Sequence, residues 1–481
     1  MSNVRPAAAA SGALLVIPVV LVVLALGAVA AASPFGSIVL LGLAVLVVAA
    51  CLPAWVLPSI SLWLFALLPV GYLNGVPTFV GRFYTPAIVV LLIWLVRLAW
   101  RRGRKSFVRS LRWLVPVFAV LLALSYIGLS PSRSVNWLIV VAIAVALPAA
   151  LAPAVDQRTA STLLRSWLVL GIGMSILAVI ESLLQTNPLS PYYSFDQHWA
   201  LYRVSTTLGH PLMNGTFFSV TACLAAFAMT RVGAPRGTAF IAFVLCALAA
   251  GLTGSRSGVY ALVSGLAVGL LVTLVSGRTS VANKFLGIVL GVAALLILPA
   301  LPTIAGRAGS SEGAASSLYR DYVVRLAGRL FLKSPVFGYG PGNSSIATAQ
   351  SGAVLPLENS VLGTLVSGGV IGTLALLVLV VVVIYRVGRS GRADGIAGIA
   401  AYVVAGAAFP LWESNPAGLI LVGLVVIATK APNPVTEAGL ATEVGAAKTV
   451  GSGAASKRLV GAGRHHRAVR ASPRSVPAGV R

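Results

Sequence analysis

Charge is scarce in this chain and acidic charge scarcest: 9% of its 481 residues are Asp, Glu, Lys or Arg, and only ten are acidic. A soluble globular domain carries roughly 25% charged residues, so the composition excludes such a domain as the bulk of the chain. The few carboxylates also form no Asp-x-Asp or similar cluster for a divalent ion, and neither a metal nor another cofactor is expected. Cysteine is rare as well. Cys51, Cys223 and Cys246 all lie in apolar runs, where small buried hydrophobes are expected rather than a disulfide framework or a metal site.

What is present is apolar length. Hydrophobic residues make up 58% of the chain and fall in long runs, among them Ala13 to Ala32, Ile38 to Leu57 and Leu374 to Tyr385. About 20 such residues at about 1.5 Å rise cross a hydrocarbon core of about 30 Å. The runs lack both a polar face and strict alternation, which excludes surface amphipathic helices and an outer-membrane barrel. The expected fold is an all-α polytopic membrane protein with about 12–14 transmembrane helices. Spans are expected to begin near residues 12, 36, 59, 84, 113, 137, 167, 212, 238, 258, 285, 358, 396 and 416. The first run is read as a retained helix, because Ala31-Ala32-Ser33 is a weak cleavage site and further spans follow at once.

Basic loops set the orientation. Placing Arg101-Arg102-Gly103-Arg104-Lys105 in the cytoplasm also puts Arg158 and Arg165, Arg231 and Arg236, Arg278 and Lys284, and Arg386 to Arg392 inside. An even span count then leaves both termini cytoplasmic. Residues 1–430 form the transmembrane domain, with outer loops at about 185–211 and 303–356. The 431–481 segment is rich in Gly, Ala, Ser and Pro, with eight Lys/Arg against two Glu. It is expected to be a disordered basic cytoplasmic tail. The net +25 is assigned to topology and to anionic membrane lipids, not to nucleic acid.

The outer loops hold the polar chemistry. The first carries Tyr192, Tyr193, Phe195, His198, Trp199, Tyr202 and His210. The second contains Leu318 to Gly328 and Arg329, whose apolar positions recur at helical spacing. An amphipathic helix on the outer surface is expected, ending near Ser334-Pro335. Three constellations stand out. Thr253-Gly254-Ser255-Arg256 makes a tight outer turn; its arginine either snorkels to headgroups or holds a phosphate with its planar fork. Arg320, Arg325 and Arg329 precede the turn Ser334-Pro335-Val336-Phe337-Gly338-Tyr339-Gly340-Pro341-Gly342-Asn343. This is either a solvated face with an ordinary loop or an anion site, but it is no P-loop, since no Gly-Lys-Ser/Thr follows. Glu358-Asn359-Ser360 opens a span, either as a helix cap or as a reactive carboxylate and amide.

Taken in this order, the segments resemble the O-antigen ligase and polymerase superfamily, from about Arg203 to Gly372. Arg203 to Pro211 is similar to the family's stretch ending in Gly-His-Pro-Asn, and Leu252 to Gly258 to its Thr-Gly-Ser-Arg turn. Arg320 to Asn343 resembles an arginine followed by Pro-x-x-Gly-x-Gly, and Glu358 to Gly372 the His-Asn-x-x-Leu element with Gly-x-x-Gly. Two positions depart: Leu212 stands where the family has Asn, with Asn214 two residues on, and Glu358 stands where it has His.

The resemblance implies a metal-independent membrane glycosyltransferase of the cytoplasmic membrane. Its donor would be a glycan on a polyprenyl diphosphate, its acceptor a glycan, lipid or protein. Arg256 and Arg320 would stabilise the diphosphate leaving group. Glu358 would accept the acceptor's proton or orient the acceptor. Arg203, His210, Arg325, Tyr339 and Asn359 are the candidate substrate-binding residues. The rival class is a transporter or flippase of lipid-linked saccharide, which would place its charges within the spans near the midplane.

Overall fold

The computed structural model of the chain describes residues 49–68, 83–193, 202–231, 234–275, 311–353, 357–388 and 392–430, with single positions at 47, 71, 81, 285, 288 and 289. The spans expected near residues 12 and 285, most of the one near 36, the Phe195 to Trp199 stretch and the 431–481 tail lie outside the described residues.

Among the described residues, fourteen helices carry the architecture. They are α1 Leu57–Leu67, α2 Pro86–Arg102, α3 Arg104–Leu111, α4 Leu114–Ile127 and α5 Pro131–Ala154, followed by α6 Gln157–Leu184, α7 Pro211–Ala228, α8 Arg236–Leu252 and α9 Arg256–Val275. After these come α10 Ser311–Lys333, α11 Ser344–Gln350, α12 Ser360–Gly388, α13 Ala393–Gly406 and α14 Pro416–Ala428. Among the described residues there is no strand. α5, α6, α7, α9 and α12 are long and apolar enough to cross a membrane, and α1, α4, α8, α13 and α14 are shorter apolar helices. The protein is an all-α, multi-pass membrane protein.

Local chemistry fixes several starts. Asp156 caps α6 by accepting the Thr159 N–H at 2.5 Å. Pro131 and Pro211 sit in first turns, where a missing N–H costs nothing. α7 is buried along almost its whole length, packed by α8, α9 and α13. Small residues allow this closeness. Gly265 and Gly269 of α9 face Cys223 and Phe227 of α7 and Ala397 and Ala401 of α13, and a Cβ at Gly269 would lie 2.2 Å from the Phe227 ring. Lipid is as apolar as leucine, so such helices associate through tight van der Waals contact.

Side-chain bonds sort several of the connections to two ends. At one end Arg231 pairs with Asp394 and donates to Ala428 O, while Arg392 donates to Lys430 O. The opposite end gathers the end of α6, the starts of α7, α9 and α12, and the loop from α13 to α14. The candidate site lies there.

α10 runs Ser311–Lys333, starting earlier than the Arg-rich stretch suggests and stopping at Ser334-Pro335 as expected. Tyr319, Val323, Leu326, Ala327 and Leu330 pack against Ala347, Leu357 and Val366, while Arg320, Arg325 and Arg329 are exposed. α12 breaks at Gly369, whose φ of 57° and ψ of −161° are not helical. The N–H groups just past the break are not left open: Val370 donates to Pro335 O at 2.9 Å and Ile371 to Val336 O at 3.2 Å.

Candidate active site

Glu181, near the end of α6, organises the segment before α7. One carboxylate oxygen accepts the Tyr202 hydroxyl and the Ser205 N–H, each at 2.8 Å, and the other accepts the Thr206 N–H at 2.7 Å. Asn187 donates to Ser205 Oγ and Thr206 O, and Asn214 bonds Ser205, Thr206 and His210. Asn214, two positions beyond the family's asparagine, thus ties the 203–210 segment to the first turn of α7.

That segment delivers Arg203 to the Thr-Gly-Ser-Arg turn. Arg203 is buried, its Nε donates to Thr253 O at 3.3 Å, and its Cγ would lie 3.3 Å from a Cβ built on Gly254. Ser255 then caps α9 by accepting the Gly258 N–H at 3.3 Å. Arg256 follows as the first residue of a 20-residue helix. Its Nε and Nη2 are buried, and among the described residues neither has a hydrogen-bond partner. A cation at a helix N-terminus also opposes the helix dipole. Both costs would be relieved by an anion, for which a helix N-terminus is suited.

His210 connects this turn to the start of α12. Its ring stacks on Phe409 with centroids 4.9 Å apart, and Phe409 O accepts the Ser360 hydroxyl at 2.7 Å. Two residues before Ser360 lies Glu358, which is exposed. Asn359 caps α12: its side-chain oxygen accepts the Val361 and Leu362 N–H groups at 2.9 and 3.0 Å. Burial pushes the Tyr319 hydroxyl of α10 up to about 12, with the Glu358 charge acting in the same sense. Glu358 therefore lies near Tyr319 of α10.

His210 cannot serve as a base in this arrangement. Its Nδ1 accepts the Leu212 N–H at 3.2 Å, leaving the proton on Nε2 as a donor. Burial, followed by the charge of Arg203, lowers its pKa from 6.5 to about 3. The unfolded chain therefore binds a proton near pH 6.5 that the folded chain refuses. Stability attributable to His210 is full above about pH 6.5 and declines as pH falls toward about 3. His210→Asn should flatten that part of a melting-temperature profile; an unchanged acid decline would show that His210 is not its source.

The glycine-rich turn packs on the break in α12. A Cβ at Gly338 would lie 2.4 Å from Gly369 N, and Tyr339 N–H donates to Val366 O at 3.3 Å. Asn343 donates to Ser134 Oγ at 3.0 Å, and Arg133 to Gly342 O at 2.9 Å. The Tyr339 hydroxyl is turned to Leu330 O at 3.2 Å, so its placement serves the joint between turn and α10.

The structure thus gathers Arg203, His210 and Arg256 at one corner and joins it through Phe409 to Glu358 and Asn359. Among the described residues no hydrogen bond or ion pair links Arg256 to Arg320, Arg325 or Glu358, and no three His, Cys, Asp or Glu gather as a ligand set. Sequence reasoning passed over Glu181, Arg133, Phe409 and Glu413. The two glutamates had a signal: an acidic residue beside an apolar run is costly unless something uses it.

Residues 241–377 match the O-Antigen ligase family model. Over this segment the chain is similar to the O-antigen ligase family. The match takes in the Arg256 turn, α10, the glycine-rich turn and the start of α12; Arg203 to Pro211 and the Phe409–Glu413 loop fall outside it. No curated protein matches the chain. This likeness supports glycan transfer of the O-antigen ligase or polymerase type, with a lipid-linked donor and an acceptor in a membrane.

Proposed function

We propose that the protein transfers or polymerises a glycan from a polyprenyl-diphosphate carrier at the outer face of the cytoplasmic membrane, with both termini in the cytoplasm. The observation that carries this reading is Arg256: a guanidinium whose buried Nε and Nη2 have no partner among the described residues, at a helix N-terminus within the segment that matches the O-antigen ligase model. As the glycosidic bond breaks, negative charge grows on the diphosphate, and a fixed cation at the lipid boundary stabilises it. Arg320 and Arg325 would reach the same substrate from α10. Glu358, exposed at the opening of α12, would take the acceptor hydroxyl's proton or hold the acceptor, and Asn359 would fix that helix start. His210, at the start of α7, would contact a sugar. No metal ion is needed in this scheme, since the guanidinium groups meet the leaving-group charge.

An apolar cleft supports the lipid part of the reading. It is partly open, spans about 580 Å³ counting the space at its mouth, and is lined by Trp137, Val141, Leu376, Tyr402, Trp412 and Leu419, among others. Trp412 adjoins the site, so a polyprenyl chain could lie there with its diphosphate near the loop. A transporter of lipid-linked saccharide would instead need charges at the midplane. The test incubates purified protein with polyprenyl-linked oligosaccharides and an acceptor and sizes the products. A ladder identifies a polymerase and a single shift a ligase; unchanged donor with every substrate and acceptor would sink the proposal.

A further inference from the structure

Glu413 takes no part in the chemistry above, yet it is buried at the centre of the site's supporting structure. It lies in the loop between α13 and α14 and is 4% exposed. One carboxylate oxygen accepts the Ser344 N–H at 3.1 Å and the other accepts the Ser367 hydroxyl. Its carboxylate carbon would lie 3.9 Å from a Cβ built on Gly363. Burial raises its pKa, opposed by the Ser344 and Ser367 hydrogen bonds and then by the charge of Arg133. Arg133 itself donates to Gly342 O at 2.9 Å and Ser345 Oγ at 2.7 Å.

Three chain segments therefore meet on one carboxylate. Ser344 begins α11 directly after the glycine-rich turn, and Ser367 precedes the Gly368-Gly369 break in α12. Glu413 itself follows Trp412, whose N–H donates to Ser360 Oγ and whose carbonyl accepts from Trp137. α10 runs straight into the turn at Ser334, so the placement of Arg320 depends on the placement of the turn. Glu358 and Asn359 open α12 on the other side of the same joint. A buried carboxylate is costly unless every oxygen is matched, and here both oxygens bond across the joint rather than within one helix.

We propose that Glu413 is a positioning residue for glycan transfer, a buried staple that fixes the arginine face of α10 relative to the Glu358–Asn359 end of α12. It touches no substrate. It acts through Ser344 and Ser367, so its removal should loosen the geometry without removing a reacting group. The proposal rests on the glycan-transfer reading for its kinetic consequence and on the hydrogen bonds alone for its structural one.

Two readouts on the full-length protein in lipid nanodiscs test it. The first places spin labels at the exposed positions Leu332→Cys and Val361→Cys, in a Cys51→Ser background, and measures their distance distribution. The second measures kcat and KM for a polyprenyl-linked oligosaccharide. Glu413→Gln should broaden the distance distribution and lower kcat on the order of 10–100-fold, because misplacement of about 1 Å costs that much, with KM within about 3-fold. Ser367→Ala, a milder change should Glu413→Gln fail to fold, should move both readouts the same way, and Ser367→Thr should restore them. A distance distribution as narrow as wild type in both variants would overturn the proposal, as would a KM increase at unchanged kcat. If the wild-type protein transfers no glycan, the transfer reading fails, while the spin-label arm still decides whether the staple exists.

Discussion

Arg256→Ala is expected to reduce glycan transfer by about 10²–10³-fold, the effect of deleting one preorganised group that stabilises transition-state charge. The same substitution should leave the melting temperature unchanged or raise it. Two of the guanidinium nitrogens are buried without a partner among the described residues, and a cation at the start of α9 works against the helix dipole. Removing the group takes away these costs along with its function. Arg256→Lys should recover little activity, since a single ammonium cannot pair two oxygens through a planar fork. A merely structural arginine would give the opposite pattern, with stability lost and activity of the remaining folded protein intact. Thermal unfolding in detergent beside a transfer assay separates the two.

Gly369→Ala is expected to be strongly damaging for a single added methyl. At φ 57° and ψ −161° the backbone occupies a region essentially reserved for glycine, and forcing another residue there costs about 1–3 kcal/mol. A Cβ would also lie 2.5 Å from Val336 O and 2.6 Å from Gly338 N, and such overpacking adds about 1–3 kcal/mol. The affected contacts are the ones that dock the glycine-rich turn, so Val370 and Ile371 would lose acceptors at Pro335 and Val336. Activity should fall with stability. Gly352→Ala is the control: its φ is +83° but a Cβ there meets nothing within 4 Å, so only the backbone strain remains. Equal melting temperatures for Gly369→Ala and wild type would show that the turn and the break are not coupled in this way.

The fold was legible where a single physical signal governs it. Unbroken apolar length gave α5, α6, α7, α9 and α12, and helical spacing of apolar positions gave an amphipathic α10, whose packed stripe is Tyr319, Val323, Leu326, Ala327 and Leu330. The Ser334-Pro335 stop of that helix was readable because proline has no N–H to continue it. The break in α12 was not, since Gly368-Gly369 in an apolar run is equally compatible with close helix packing; the difference lies in the carbonyls of Pro335 and Val336, more than thirty positions away.

At the candidate site, the turn before Arg256 and the helix start at Asn359 were readable as local structure. The roles of Glu181 and Glu413 were hidden because each acts on a segment distant in sequence: Glu181 on Ser205 and Thr206, Glu413 on Ser344 and Ser367. Single-sequence reading marks such residues as unusual without identifying their partners. Tyr339 shows the converse. Its motif suggests contact with substrate, whereas its hydroxyl is spent on Leu330 O.

The most direct measurement counts polyprenyl diphosphate released per glycosidic bond formed, using purified wild-type protein and a lipid-linked oligosaccharide with labelled diphosphate. One released per bond, falling together in Arg256→Ala, is the predicted result. Lipid-linked donor that moves between leaflets with its diphosphate bond to sugar intact would contradict it and identify a carrier instead.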